Sequence, residues 1–452
     1  MGLSIGQKAG WGLADLGINV FVVVKQLLVF AFMTTYLGVP PAIAGVLTFS
    51  VLAFDVITDP LIGYLSDRTH SRFGRRYPWM FIGAIVQAIG IVGIFMVPDG
   101  MSWQANAAWV MVFFAIATLG FTAVTIPYGA MAGEMTQDPQ ERSVMMAWRM
   151  GFASIGLLMA GAVVPALAGD SKAGYGMAVL YVAPVMILAI WLSIAATRKA
   201  PRIATPTGLG LREMLALVMS NGRFTLLVVI YGVLTLGVAL IAAGLQISSL
   251  YLMVGTGGPL AGLAAALGVF AALFAMFIVG SVLSQAFWVM AAKRMGKLAA
   301  LIFGMGIYTG VLAAIYGQLP AESISTMAVL FIAAGFCNGA YQQLPWAMYP
   351  DLMDVTRDQS GEAVEGAFAA LWLFGQKVAN ALAPLVLGVV LSAFGFLESS
   401  GGTVDQSQEA LGALRWAVTL LPAAIMWVGI ALLALVYRPK AGGVHDARAQ
   451  VP

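Results

Sequence analysis

Long apolar runs separated by short polar turns extend along almost the whole chain. A helix needs about 20 largely apolar residues to cross a bilayer, and the pattern predicts twelve spans. The first six cover roughly 11–37, 42–66, 77–97, 106–132, 143–168 and 175–196. The second six cover roughly 223–253, 262–290, 298–318, 325–348, 364–394 and 411–437. Between the sets lies the longest internal polar segment, which holds Arg198, Lys199, Pro201, Arg202, Pro206 and Arg212. The predicted organisation is an N-terminal six-helix bundle over 1–196, a cytoplasmic linker over 197–222, a C-terminal six-helix bundle over 223–437 and a cytoplasmic tail over 438–452. Short basic loops follow the second span (GYLSDRTHSRFGRR from Gly63) and the eighth (AAKRMGK from Ala291). Their matching places in the two halves form a faint internal repeat, as two parallel six-span halves produce.

Composition narrows the class. Charged residues are 10% of the chain and hydrophobic residues 61%, with a mean hydropathy of +0.91. Soluble domains carry about a quarter charged residues, so a water-soluble fold is excluded and an all-α polytopic membrane protein is predicted. The net charge of +3 says little about partners, but the positions of the charges say more. The N-terminal segment, the 67–76 loop, the linker, the 291–297 loop (Lys293, Arg294, Lys297) and the tail hold most of the basic residues. The opposite side shows Lys172 and, at a span end, Arg415. The positive-inside rule then makes both termini cytoplasmic, as an even number of spans requires. Cys337 is the sole cysteine, which rules out an intrachain disulfide. The first apolar run is long and interrupted by Asp15 and Lys25, so it is expected to be retained as a span and not cleaved as a signal. Neither a nucleic-acid partner nor an organic cofactor is expected, and a monomer in the lipid bilayer is the simplest assembly.

The chemistry lies in the charges inside the spans. Asp55 and Asp59 sit four residues apart in span 2, on one helix face. Intramembrane acids cost at least a few kcal/mol and usually mark ion pathways. Two ionised carboxylates one turn apart call for a cation between them. Thr58 lies beside them, and Pro60 frees the Val56 carbonyl from its helical bond, so hard oxygen ligands for an alkali ion are at hand. A proton shared by the acids is the competing passenger, and a purely structural network with Lys377 or Arg149 is the third reading. Lys377 in span 11 either pairs with the span 2 acids in one state of the protein or forms a static salt bridge. Arg149 in span 5 either contacts substrate or a gate, or snorkels to the interface. Asp15 and Lys25 are about 15 Å apart along span 1, too far to pair; Asp15 is read as a cap or gating contact, and Lys25 is unusually deep in the span. The basic loop Asp67–Arg76 is predicted to anchor helix ends through carbonyls and through acids such as Glu134 or Asp138. Asp351, Asp354, Asp358 and Glu362 supply acids near span 11. There is no GxxxxGK[ST] and no HExxH, and His70 and His445 stand in no metal-ligand motif. Gly304, Gly306 and Gly310 miss the dinucleotide spacing and read as helix packing.

FDVITDPLIGYLSDRTHSRFGRRYPW, from Phe54, resembles the signature of the glycoside–pentoside–hexuronide:cation symporters, the melibiose permease family of the major facilitator superfamily. WGLADLGIN, TIPYGAMAGEMTQDPQERS (125–143), YPDLMDVTRDQSGEAVEGAF (349–368) and FGQKVANALAP (374–384) agree, so the resemblance spans the first to the eleventh span. It implies the major facilitator fold and a cation-coupled (Na+ or H+) secondary symporter of a sugar, glycoside or similar small solute. The cation site it implies comprises Asp55, Thr58, Asp59, Thr122 and Lys377, with Asp55 and Asp59 as the Na+ carboxylates. The candidate substrate site comprises Asn19, Lys25, Thr125, Tyr128, Gly129, Arg149, Trp372 and Gln376. The candidate gating set, from the charged loops at the span ends, is Asp67, Arg68, Arg75, Arg76, Glu134, Arg142, Asp351 and Asp354. Where the melibiose carriers place two sugar-gripping aspartates and a stacking tryptophan, this chain has Asn19, Thr125 and Gly129. A smaller, uncharged wall follows, and a galactoside held by two carboxylates is not expected. A lysolipid or other amphiphilic cargo is the alternative; a membrane-embedded enzyme and a non-transporting receptor or scaffold are further ones.

Overall fold

Inside a bilayer the backbone must satisfy its own hydrogen bonds, and this chain does so almost entirely with helices. A computed structural model describes residues 2–136, 138–201, 211–360 and 365–441. Among them, eleven helices are long and apolar enough to cross a membrane, and one bent pair brings the number to twelve. Contacts divide the chain into two units.

The first unit takes Met1–Thr205 with two short later segments, Ala266–Ala271 and Phe396–Gln406. Its helices are α1 (Ile5–Leu27), α2 (Val29–Tyr36), α3 (Pro41–Arg68), α4 (Tyr77–Phe95), α5 (Trp103–Met135), α6 (Pro139–Leu158), α7 (Val164–Ala168) and α8 (Lys172–Thr197). A π turn, Met159–Val163, joins α6 to α7. Ser4 starts α1 with a reciprocal capping box to Gln7, satisfying two of the amide donors a helix start leaves open. The span predicted over 11–37 is not one rod: α1 and α2 meet at 44°. Glycines set the helix spacing. A Cβ on Gly12 would stand 2.7 Å from the Arg149 amide nitrogen, and one on Gly156 would stand 2.5 Å from the Leu16 carbonyl oxygen. The backbones of α1 and α6 therefore touch, and the side chains flanking those glycines are brought together. The segment Phe396–Gln406 ties to the end of α2 by backbone bonds: Gly38 N–H donates to Ser399 O at 2.7 Å and Ser399 N–H to Thr34 O at 2.9 Å.

The second unit takes Pro206–Ala265, Ala272–Gly395 and Ser407–Pro452. It carries α9 (Leu211–Ser220), α10 (Gly222–Tyr251), α12 (Val269–Met295), α13 (Lys297–Gln318), α14 (Ile324–Ser360), α15 (Glu365–Ala393), α16 (Gln408–Val418), α17 (Leu420–Ala431) and α18 (Arg438–Ala441), with α11 (Ala261–Leu267) at its edge. Two features go beyond the hydropathy pattern. A short parallel ribbon pairs Met253–Gly257 with Ala321–Ser323, and α14 runs on to Ser360, past the predicted end at 348. The core of this unit is aromatic: Trp372 stacks on Tyr231 at 4.2 Å and on Tyr349 at 5.1 Å, and Trp346 Nε1 donates to the Tyr231 hydroxyl.

Candidate functional site

Three polar clusters lie in the first unit. In the first, α3 carries Asp55 and Asp59 on one face, and Pro60 interrupts its hydrogen-bond ladder. Asp55 is 4% exposed, a position where a carboxylate requires compensation. The Thr122 hydroxyl, fully buried on α5, donates to Asp59 Oδ1 at 3.0 Å. Thr58 is buried and donates to the Phe54 carbonyl at 2.9 Å, which leaves its hydroxyl oxygen able to accept or ligate. α3 and α5 thus join one carboxylate to one hydroxyl, with Asp55 one turn away on the same helix face, and oxygen donors of this kind are what hard cations prefer. Among the described residues no three His, Cys, Asp or Glu side chains converge, so hydroxyl or carbonyl oxygens would complete any ion's shell here.

The second cluster joins α1, α5 and α6. Asp15, 2% exposed, forms an ion pair through Oδ2 with Arg149 Nε at 3.2 Å. Asn19, one turn on, donates from Nδ2 to the same Oδ2 at 3.0 Å and to the Asp15 carbonyl at 2.9 Å. The Arg149 guanidinium lies 5.7 Å from the Tyr128 ring centroid, and Tyr128 stacks on Trp11 at 4.7 Å. This pairing changes two sequence-based expectations: Asp15 is a buried partner and not an interfacial cap, and Arg149 is held by an ion pair and not simply extended to the interface. Thr125 is half-buried, its hydroxyl donating to the Phe121 carbonyl. Gly129 is exposed, and a Cβ there would meet nothing within 4 Å. Lys25 is half-buried and lies 5.6 Å from the Phe21 ring and 5.8 Å from the Phe121 ring, so aromatic faces accommodate part of its charge.

The third cluster lies at the helix ends. Glu134 Oε1 accepts from Arg75 Nη2 at 2.6 Å and from Arg76 Nε at 3.1 Å and Nη2 at 2.9 Å. Arg76 Nη1 also donates to Ser66 at 2.9 Å. Arg68 stacks on Tyr64. Nearby, Glu141 Oε1 accepts from the Leu3 amide at 2.7 Å and pairs with Lys8 at 2.9 Å, while its Oε2 accepts from Thr136 at 2.7 Å. The hydrogen bond from Lys8, then that from Thr136, lowers the Glu141 carboxyl below the usual glutamate range. Arg142 Nε donates to the Thr136 carbonyl.

The remaining candidates belong to the second unit. Lys377 and Gln376 are half-buried on α15. Asp351 holds Lys297 at 2.7 Å. Trp372 is fully buried in the aromatic core, its ring faces covered by Tyr231 and Tyr349. Tyr128 is similarly enclosed, at 2% exposure, and supports Arg149 from behind. The side chains of Asp67 and Asp354 lie outside the described residues.

Sequence reasoning found the Asp55/Asp59 pair because a carboxylate in an apolar run is anomalous where it stands. It missed the Asp15–Arg149 pair, whose only sequence signal is one unmatched acid and one unmatched base in two different spans.

Comparison with known proteins agrees in kind. A family model described as MFS/sugar transport protein matches residues 10–438. The chain is 26% identical to an Escherichia coli K12 protein provisionally named glycoside/cation symporter YagG, over 99% of this chain and 94% of that protein. It is 27% identical to the inner membrane symporter YicJ of Escherichia coli K12, over 96% and 92% respectively. Among solved structures, a bacterial homologue of the human lysosomal transporter Spinster, in an inward-facing and unoccupied conformation, shares the fold. Its TM-score is 0.68 at 17% identity, with 96% of both chains covered.

Proposed function

The chain belongs to the MFS/sugar transport protein family, and from that premise we propose that it is a cation-coupled symporter carrying a sugar or glycoside across the inner membrane by alternating access. It has the major facilitator fold and is a secondary transporter, not an enzyme. The observation that carries the coupling is the Thr122–Asp59 hydrogen bond beside the buried Asp55. A cation entering there, Na+ or H+, neutralises charge that the membrane interior otherwise penalises. The solute site is assigned to α1, α5 and α6 of the same unit, where Asn19 and Arg149 share Asp15 and Thr125 and Gly129 flank Tyr128 along α5. Both termini are assigned to the cytoplasm from the basic-residue bias. The lysolipid reading gains no support from the relatives, and the hydrogen-bonding chemistry of Asn19, Thr125 and Arg149 suits hydroxyl-rich cargo better than an acyl chain.

Calorimetry on purified protein, with Na+ titrated at two pH values into wild type and Asp59→Asn, tests the site. Saturable Na+ heat that the substitution abolishes is the expected result for a sodium carrier. An absence of Na+ heat together with substrate-induced proton release identifies a proton carrier. Cation heat that survives in Asp59→Asn removes Asp59 from the mechanism.

A further inference from the structure

We infer that Asp15 is the positioning residue and built-in counter-charge of Arg149, and that it tunes the solute site to uncharged sugars over sugar acids. The inference deepens the sugar-symporter reading and rests on it.

Asp15 and Arg149 form a lopsided pair. The carboxylate is enclosed, its side chain 3% exposed, whereas 39% of the Arg149 side chain is open. The contact uses Nε, the inner nitrogen of the guanidinium. Among the described residues the two Nη nitrogens have no hydrogen-bond partner, so the outer fork of the group is presented away from its anchor. Asn19 clamps the same Oδ2 that stands at ion-pair distance from Nε, while Asp15 Oδ1, the Tyr128 hydroxyl and Arg149 Nε itself are buried without a hydrogen-bond partner. A buried acid with one oxygen unsatisfied is a poor stabilising device, since a buried ion pair often does no better than apolar packing. What the arrangement does accomplish is to set a counter-charge against the back edge of a planar donor and cancel its charge there. The close contact of α1 with α6 through Gly12 and Gly156 makes this possible.

Charge then bears on the cargo. With Asp15 ionised the pair is net neutral, so Arg149 offers its donors without an unmatched positive charge of its own. A neutral sugar offers hydroxyl oxygens to the Nη donors and leaves the balance undisturbed. A uronate or sulfonate adds a negative charge that Asp15 has already matched. Removing the Asp15 charge reverses this preference, because Arg149 then seeks an external anion and has a fork suited to carboxylate.

The test is equilibrium binding to purified wild type and to Asp15→Asn, Asp15→Glu and Asp15→Asn/Arg149→Gln. The probes are neutral p-nitrophenyl pentosides and hexosides and, against them, p-nitrophenyl β-D-glucuronide. Monodisperse elution and circular dichroism melting establish that each variant is folded. Wild type is expected to bind at least one neutral glycoside and to discriminate against the glucuronide. Asp15→Asn is expected to shift the glucuronide-to-neutral affinity ratio by about tenfold or more toward the acid. Asp15→Glu restores the wild-type order, and the double variant, again neutral, loses the gain in glucuronide binding. Were Asp15→Asn to keep the wild-type ratio while neutral glycoside binding stayed cation-dependent, the inference would fall and the symporter reading would stand. Were wild type to prefer the glucuronide, the inference would fall as well. Wild type that binds no glycoside of either kind overturns both.

Discussion

At the scale of single residues, burial decides what a charge contributes. Arg75 and Arg76 share Glu134, yet 41% of the Arg75 side chain is exposed and only 8% of Arg76. Exposed pairs contribute about 0–1 kcal/mol, whereas breaking a buried pair costs about 3–5 kcal/mol because a charge is stranded. Arg76 also donates to Ser66, so its loss removes a Ser66 hydrogen bond and leaves the buried Glu134 held by the more exposed Arg75. Arg76→Ala is therefore expected to lower unfolding stability in detergent by several kcal/mol, and Arg75→Ala by less than about 1 kcal/mol. Equal losses in the two variants would contradict this reading. The same distinction explains what could be read from the chain. Asp55, Asp59 and the arginines of the basic loop stand out one residue at a time, against apolar or short neighbouring sequence. The partner of Arg149 does not, because pairing depends on the crossing of α1 with α6, and glycine positions alone do not reveal which helix fills them.

At the scale of elements, the hydropathy pattern set the spans well because each helix must meet the bilayer thickness on its own. It was blind to the 44° break between Leu27 and Val29, which no proline or glycine marks. It also missed the ribbon of Met253–Gly257 with Ala321–Ser323, whose pairing is non-local. The entry into α1 shows how one side chain can join two elements. Glu141 at the start of α6 holds the Leu3 amide and Lys8 while itself accepting from Thr136. These bonds favour the carboxylate and depress its pKa, so the stability they contribute is present above the ordinary glutamate value of about 4.3. It is lost as pH falls through the depressed folded value. Amide exchange of residues 3–8, corrected for intrinsic rates, is expected to show protection at pH 6 that is lost on acidification beyond the ordinary glutamate range, through the depressed folded value. Glu141→Gln is expected to be weakly protected at both. Protection that survives acidification in wild type would mean that α1 is anchored by its apolar face and not by Glu141.

At the scale of the whole molecule, coupling is a free energy shared between two sites, and both candidate sites lie in the first unit on overlapping helices. Asp59 meets Thr122 on α5, and three residues further along that helix Thr125 begins the wall assigned to the solute. A cation that draws Thr122 and Asp59 together therefore acts on the backbone that presents Thr125 and Gly129. Linkage requires the effect to be mutual: whatever factor the cation adds to solute affinity, the solute must add to cation affinity. Coupling free energies are commonly about 1–3 kcal/mol, or about 5–150-fold. Binding of the best neutral glycoside at zero and saturating cation, and of the cation at zero and saturating glycoside, is expected to give one common factor in that range. Thr122→Ala keeps both carboxylates but removes the hydroxyl that links α3 to α5, so it is expected to lower the common factor by more than it weakens solute binding measured without cation. A Thr122→Ala protein whose coupling factor is unchanged would show that communication between the sites does not run through α5.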